Sequence, residues 1–383
     1  MVLVILMWSA LGFASLISGT RAPTWNWKEM LLLGSPFLLM LLDSARASQW
    51  SAAWKLAETS SVLLLFPIGF TMIDRSRAPT LRDRMIDLFS WSALTLAIWA
   101  NGGILIRSEA WPSAVDASVA FSYFYRTAFA MVTGVHAPFA AYWFFCAALF
   151  QMHHVLQDKH TPPWRSLLAG ALTIAGILIG SRMPIIAFGV AFASLLFFRF
   201  ETRKALGWIF GTVVTLSILV IALPGSRDRA MEVFSTLYSR TGANGINSVS
   251  VRSPILQCSL ELLEEHWILG AGQPAVQSAL DECYSDQQHS FMADGSYSTH
   301  NQLLHWWLSF GVLGVTAFVL LFGHSLAEAF RRRDAIHFAF VLFILLCCFT
   351  ENVLARQWGV VLFACFNTLF LVPIPKQDEG SEG

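Results

Sequence analysis

The segment ADGSYSTHNQLLHWWLSFGVLG, residues 293–314, passes from a polar stretch directly into an apolar run typical of membranes. His300 and Asn301 stand at that junction. A histidine has different roles in a soluble core, at a helix cap and at a bilayer surface, so the whole chain must be considered first. Hydrophobic residues make up 55% of the 383 residues and charged residues only 13%, whereas soluble domains carry about 25% charged residues. The composition therefore predicts a polytopic membrane protein.

Apolar segments of spanning length recur along the chain. The hydrocarbon core takes roughly 20 apolar residues as a helix, and it forces the backbone to form its hydrogen bonds internally. The fold class is therefore predicted to be all-α, with about 11 (10 to 12) transmembrane helices. A further segment, FSYFYRTAFAMVTG (121–134), is predicted to be re-entrant or interfacial. The predicted spans lie near 2–19, 29–43, 56–73, 86–106, 137–156, 166–181, 184–198, 205–223, 302–323, 335–350 and 356–373.

Lysines and arginines cluster in alternate connections, including DRSRAPTLRDR (74–84), RFETRK (199–204) and RRRD (331–334). Because positive connections stay on the cytoplasmic side, the long segment 224–300 is expected on the outer face of the membrane, which is the periplasmic face if the cell has two membranes. The chain then divides into an N-terminal bundle of about eight spans, an outer loop, C-terminal transmembrane helices and a disordered cytoplasmic tail. These parts cover 1–223, 224–300, 301–374 and 375–383.

The outer loop is longer than connections without secondary structure usually are, and it is expected to contain short amphipathic helices. In SVRSPILQCSLELLEEHW (250–267), an apolar stripe predicts one helix that lies on the membrane or on the bundle. A second short helix is predicted for QPAVQSALDECY (273–284). Cys258 and Cys283 both lie in this loop, so an oxidising compartment would allow a disulfide between the helices, although sequence alone leaves the pairing open. The residues of the stripe are Leu256, Leu260, Leu263 and Trp267.

Several function classes are disfavoured by what the sequence lacks. It contains no GxxxxGK loop, which argues against ATP-driven transport. It contains no D-x-D pair, the usual metal-holding signature of enzymes that use nucleotide sugars, and no spaced His/Cys cluster of the zinc kind. The net charge is zero, so charge gives no argument for binding nucleic acid.

Three polar sites remain, and each has an ordinary structural interpretation. Arg182, in GILIGSRMPIIAFG (176–189), would snorkel to the surface from the end of a span. Arg252 opens the predicted loop helix and would be solvated. His300 and Asn301 would form the polar N-terminal cap of the next span.

The order of these signals resembles the O-antigen ligase and polysaccharide polymerase superfamily. The motifs are SR at the start of a span, an arginine opening a loop helix, LLEEHWILGAG (262–272) and THNQLLHWWLSFGVLG (299–314). The resemblance runs from about residue 165 to the C-terminus, and FTENVLARQWGVVLFACFNTLF (349–370) resembles the closing spans. Before residue 160 the likeness is one of hydropathy, with TGVHAPFAAYWFF (133–145) weakly similar to the fifth-span region.

The resemblance implies a transferase that moves a glycan from an undecaprenyl diphosphate carrier to an acceptor hydroxyl, without a metal, ATP or another cofactor. It implies that Arg182 and Arg252 bind the donor diphosphate, since a guanidinium binds phosphate oxygens bidentately. His300 is implied as the general base that takes the acceptor proton. Direct attack by the acceptor would invert the anomeric centre.

Four further residues are candidates for substrate binding, each with an open structural alternative: Asn301, Arg240, His136 and Tyr297. The expected partners are the lipid-linked glycan, an acceptor glycan or lipid A core, the lipid bilayer and other polysaccharide-assembly proteins. A polymerase of O-antigen or exopolysaccharide repeat units is favoured, because the loop is compact and contains SALDECYSD (278–286). A ligase that moves finished glycan onto lipid A core or protein is the alternative. A transporter of the same lipid is less favoured, because transporters place ionisable groups near the midplane.

Overall fold

The computed structural model is helical throughout the part of the chain that it describes, which comprises residues 27–45, 50–70, 78–106, 121–158, 160–223, 227 and 251–372. The predicted first span, most of the outer loop before residue 251 and the predicted disordered tail lie outside these residues. The absence of strands within the described ranges agrees with the predicted all-α class.

Nine α-helices precede the outer loop in the described residues. They are α1 (Trp27–Ser44), α2 (Trp50–Ser60), α3 (Val62–Phe70), α4 (Ala78–Ile106), α5 (Phe121–Thr133), α6 (Ala137–Gln157), α7 (Pro163–Leu178), α8 (Arg182–Arg199) and α9 (Thr202–Ala222).

Seven α-helices follow in the described residues from 251 onward. They are α10 (Arg252–His266), α11 (Gln273–Asp286), α12 (Ser290–Asp294), α13 (Gln302–Phe310), α14 (Val312–Arg331), α15 (Ala335–Cys348) and, after a 3-10 turn at Val353–Ala355, α16 (Gln357–Leu371).

Five of these helices are long and apolar enough to cross a membrane: α4, α6, α8, α9 and α14. Three shorter apolar helices, α7, α15 and α16, accompany them. The chain is thus a membrane protein, while the number of eleven spans stays a prediction.

The bundle has two ends, which we name by residues that lie there. Phe198, near the C-terminus of α8, contacts Phe330 and Phe338, with ring centroids 6.1 and 5.4 Å away. These rings lie where α14 ends and α15 begins, so α8 and α15 run antiparallel. This end is the Asp334 end. The first turn of α8 and the C-terminus of α15 therefore lie together at the opposite end, the His300 end.

Helix α6 occupies the centre of the bundle, because it is buried along nearly its whole length. Phe150 packs against Phe340, Phe366 and Phe370, with ring centroids 5.8, 4.8 and 5.5 Å away. Aromatic pairs at such distances contribute beyond the area that they bury. The core thereby joins α6 to α15 and α16, the helices on either side of the 3-10 turn.

The predicted span 302–323 is two helices, α13 and α14, which are separated at Gly311. Gly311 has φ 62° and ψ −145°, a conformation that is essentially restricted to glycine. The backbone of residues 267–272 packs into this break. Val312 N–H donates to Ile268 O at 3.1 Å, and Ala271 N–H donates to Leu308 O at 2.7 Å. Hydropathy does not register such backbone contacts, so the apolar run looked continuous. The predicted span 56–73 is likewise divided, at Ser61, between α2 and α3.

Helices α10 to α13 form a unit with its own apolar core at the His300 end. Cys258 and Cys283 are joined by a disulfide that links α10 to α11, with the sulfur atoms 2.07 Å apart. The buried side of α10 consists of Ile255, Cys258, Ser259 and Leu263.

The predicted apolar stripe of α10 is mostly exposed. Leu263 is 6% exposed, whereas Leu256, Leu260 and Trp267 are 53%, 51% and 51% exposed. The face that packs on the rest of the unit is therefore rotated by about one residue from the predicted one. The stripe was expected to lie on the membrane or on the bundle. The exposed side chains of Leu256, Leu260 and Trp267 do not pack on the bundle.

We expect Gly311→Ala to lower the free energy of unfolding by at least about 2 kcal/mol, because alanine disfavours this backbone conformation. Its Cβ would also lie 1.9 Å from Ile268 O. Gly211→Ala is the matched control, since no atom lies within 4 Å of a Cβ at that helical position. Thermal unfolding in detergent measures both. Equal melting temperatures for the two variants would contradict the described break.

Candidate functional site

His300 lies in the connection between α12 and α13, and it has φ 44°, in the left-handed region. The residues on either side anchor it. Asn301 Oδ1 accepts a hydrogen bond from Leu304 N–H at 3.1 Å, which makes Asn301 the N-cap of α13. Thr299 Oγ1 donates to Asn352 Oδ1 at 3.0 Å. A non-glycine residue in this conformation persists only when its surroundings hold it, and such positions cluster at functional sites.

The partner of His300 is Glu351, which follows α15. His300 Nδ1 lies 3.2 and 3.3 Å from the two carboxylate oxygens of Glu351. A carboxylate only accepts hydrogen bonds, so the geometry assigns the donated proton to Nδ1. The neutral imidazole then carries its lone pair on Nε2. The two side chains are 36% and 23% exposed, which leaves the pair accessible.

A buried amide holds the two chain segments of the pair together. Gln302 Oε1 accepts hydrogen bonds from Leu354 N–H at 2.7 Å and Ala355 N–H at 3.1 Å. Gln302 is fully buried, and the 3-10 turn that it holds begins two residues after Glu351. Leaving a buried backbone N–H without an acceptor costs about 1–3 kcal/mol. The amide thus fixes the distance between His300 and Glu351.

The charge of Glu351 is set by competing effects. Burial raises the pKa of its carboxyl, but the His300 hydrogen bond and charge, the N–H of Asn352 and the charge of His136 lower it. The net pKa lies below the usual value, so the carboxylate is ionised at neutral pH. It is therefore suited to orient the imidazole and to stabilise its protonated form.

His136 belongs to the same neighbourhood. It directly precedes α6, and desolvation followed by the charge of Arg126 lowers the pKa of its imidazole. Glu351 opposes this shift, while Arg356 and His300 add to it. Trp143 packs against Trp358 with ring centroids 5.4 Å apart, which holds the start of α16 against α6. The charges of Arg126, Arg356, Glu351 and His300 thus all act on His136.

Arg182 and Arg252 lie at the starts of two helices. Arg182 is the first residue of α8, directly after the turn at Gly180, which has φ 67°. Arg252 is the first residue of α10, and its side chain is exposed. Helix α10 packs on α11 and α13, so both arginines belong to elements at the His300 end.

The remaining sequence candidates have different outcomes. The ring of Tyr297 lies 6.4 Å from that of His300 at an interplanar angle of 66°. Gln277 Nε2 donates to the carbonyl oxygen of Tyr297 at 3.2 Å, which fixes the backbone there. Asn301 acts as a helix cap. Arg240 lies outside the residues that the structure describes.

Metal-binding atoms are close together at one place in the described residues. Cys258, Glu261 and Cys283 bring their ligand atoms within 4.8 Å of one another. The disulfide occupies both sulfur atoms, so this group does not offer thiolates to a metal ion.

Sequence reasoning missed Glu351, Arg126 and Arg356. A signal for the first was present, because Glu351 is the only carboxylate between residues 335 and 372, in an otherwise apolar stretch. An ionisable residue in such a stretch is a functional candidate by default.

Comparison with known families gives one match. Residues 167–319 match the O-antigen ligase family. The matched region includes Arg182, Arg252 and His300, and it ends before Glu351. Comparison with curated proteins gives no match.

We expect Glu351→Gln to remove a pH-dependent part of the stability. A carboxyl whose folded-state pKa is depressed stabilises the fold above its unfolded value of about 4.3, and this stability is lost as the pH falls through the folded-state value. The wild type should therefore lose stability faster than Glu351→Gln below about pH 5. Unfolding temperatures between pH 3.5 and 7 measure this, with Glu282→Gln, an exposed position on α11, as control. Parallel curves for all three proteins would contradict the pairing.

Proposed function

The chain belongs to the O-antigen ligase and polysaccharide polymerase superfamily, and from this premise we propose that it transfers a glycan from an undecaprenyl diphosphate carrier to an acceptor hydroxyl. The observation that supports this most is the pair of His300 Nδ1 and Glu351, 3.2 Å apart at one end of a membrane bundle. A base held by a carboxylate is the arrangement that activates a hydroxyl nucleophile.

The proposed step begins with an acceptor hydroxyl at Nε2 of His300. The hydroxyl oxygen forms a bond to the anomeric carbon of the donor sugar, and the bond from that carbon to the diphosphate oxygen breaks. The hydroxyl proton passes to Nε2, and undecaprenyl diphosphate leaves with the bonding electrons. A single displacement of this kind inverts the anomeric centre. General-base help of this type is worth roughly 100-fold to 10,000-fold in rate.

Glu351 would act in two ways in this step. It would hold the imidazole in the tautomer that presents Nε2, and it would stabilise the imidazolium that forms when the proton arrives. Its lowered pKa supports both roles, because the carboxylate keeps its charge throughout the working pH range.

The diphosphate needs cationic partners because its charge grows as the bond breaks. Arg182 and Arg252 are the proposed partners, since each begins a helix at the His300 end. A guanidinium remains charged at any working pH and offers two parallel donors to phosphate oxygens. Arg126 and Arg356, beside His136, add positive charge near the same pair.

The proposed orientation places the His300 end at the periplasmic face of the inner membrane. Its support is the distribution of arginines, because Arg82, Arg165, Arg199 and Arg331 to Arg333 belong to the Asp334 end. Positively charged connections remain cytoplasmic. The His300 end would then meet the lipid-linked glycan on the periplasmic side, where the sugars of the glycan are exposed.

Two acceptors are compatible with this chemistry. A growing lipid-linked glycan would make the enzyme a polymerase of repeat units, which the compact loop and SALDECYSD favour. Lipid A core would make it a ligase, which the description of the matched family favours. We propose the polymerase first and the ligase second.

The test is to reconstitute the purified chain with a lipid-linked repeat unit, with and without lipid A core, and to separate the products on a gel. We expect a ladder of glycans that does not depend on the core. A single shifted core band would replace the polymerase with the ligase. Neither product from a folded chain that binds the donor would contradict the proposed transfer.

We expect Arg182→Lys and Arg252→Lys each to lower the transfer rate at least about tenfold, because lysine keeps the charge but loses the bidentate geometry. Arg203→Lys makes the same change at an exposed position of the Asp334 end and should retain the wild-type rate. Initial rates and donor dissociation constants would be measured for all three. If Arg182→Lys and Arg252→Lys both kept wild-type rates and dissociation constants, the proposal would be wrong. Arg182 would then be a membrane anchor and Arg252 a solvated residue.

A further inference from the structure

A cavity of about 420 Å³ opens at the Asp334 end, far from His300 in the fold. Its walls come from the first turns of α4, the last turns of α6, the turn between α14 and α15, and the end of α16. Cavities of this size hold small molecules or head groups. The polar residues of its lining are Arg82, Asp83, His153, His154, Gln157, Arg332, Arg333 and Asp334.

The carboxylate of Asp334 is already occupied. Arg82 donates to both of its oxygens, at 2.6 and 2.7 Å, and the oxygen Oδ1 also accepts from His337 N–H at 3.1 Å. Asp83 lies 3.9 Å from Nε2 of His154. The Asp334 carboxylate therefore faces a cation, whereas Asp83, which is 60% exposed, faces an imidazole that carries charge only when it is protonated.

The cations exceed the carboxylates in this region. Glu328 is shared by Arg331 and Arg332, so one carboxylate serves two guanidinium groups. Arg333 is exposed, and no carboxylate in the described part of the chain forms an ion pair with it. Its φ of 54° belongs to the left-handed turn between α14 and α15. The cavity thus has an excess of positive charge at its rim.

The rest of the lining is apolar. The guanidinium of Arg82 lies over the ring of Phe370, with its central carbon 4.5 Å from the ring centroid. A cationic rim over an apolar wall suits a ligand that has an anionic head and an apolar body. The apolar residues are Pro79, Ile86, Ala335, Ile336, Phe370 and Val372.

The position of the cavity favours a lipid over a soluble anion. Helices α4 and α6 are both long and apolar enough to span a membrane, and the cavity lies where α4 begins and α6 ends. Basic pockets between transmembrane helices at a membrane surface bind anionic head groups. We propose that this cavity binds the phosphate head group of an anionic phospholipid. The inference does not rest on the proposed transfer reaction.

The experiment uses the full chain, purified in detergent and freed of lipid. Dissociation constants are measured by native mass spectrometry for short-chain phosphatidylglycerol, short-chain phosphatidylcholine and glycerol 3-phosphate. Arg333→Gln removes the cation at the rim. Arg331→Gln is the matched control, since it removes the same charge two positions away at an exposed residue that does not line the cavity.

We expect phosphatidylglycerol to bind more tightly than the other two probes. Arg333→Gln should weaken its binding about tenfold, as expected for one charge-assisted hydrogen bond, while Arg331→Gln changes it less than about twofold. Equal binding of phosphatidylcholine, or equal weakening by both variants, would overturn the proposal in favour of nonspecific attraction. Binding of glycerol 3-phosphate as tight as that of the lipid would overturn the lipid as the ligand and assign the cavity to a soluble phosphate.

Discussion

The buried amide of Gln302 determines the geometry of the His300 end. Its Oε1 accepts two backbone N–H groups of the turn that follows Glu351. These two hydrogen bonds join the start of α13 to a segment about 50 residues later in the chain. They bring the imidazole of His300 against the carboxylate of Glu351. Because Leu354 is buried and Ala355 is partly buried, an alternative arrangement would have to find their N–H groups new acceptors, at a cost of about 1–3 kcal/mol for a buried group left without one. The positions of His300, Thr299 and Asn352 follow from this connection.

The two ends of the bundle differ in the chemistry they support. At the His300 end a carboxylate faces His300, and the charges of Arg126 and Arg356 act on the nearby His136, an arrangement that suits proton transfer beside a phosphate leaving group. At the Asp334 end the arginines are mostly engaged in structural ion pairs, such as Arg82 with Asp334 and Arg165 with Asp87. Such pairs join helices at the membrane surface, and only the excess cations there are suited to bind a ligand. The proposed catalytic site and these structural ion pairs therefore lie at opposite ends of the bundle.

Much of the fold was predictable from hydropathy, since α4, α6, α8 and α9 largely coincide with predicted spans. The sequence also indicated the elements that position His300 and Arg252. A polar junction before an apolar run indicated the position of His300, and a predicted loop helix indicated that of Arg252. The break at Gly311 was missed because it is made by backbone contacts with Ile268, and hydropathy reads only side chains. Glu351 was missed because its partner is 51 residues away, and no local pattern reports such a pairing. The stripe of α10 was misplaced because the unit buries Ile255 and Cys258, whereas periodicity favoured the leucines.

His300 is proposed to take the acceptor proton, and the transfer rate of His300→Gln from pH 5.5 to 8 tests this role most directly. Glutamine keeps hydrogen-bonding groups at this position but cannot take up a proton at neutral pH. We expect the variant to fold and to bind the donor as the wild type does, while its rate falls at least about 100-fold. A variant that retains most of the wild-type rate across this range would show that His300 is structural, and would move the base to His136 or to a carboxylate such as Asp294.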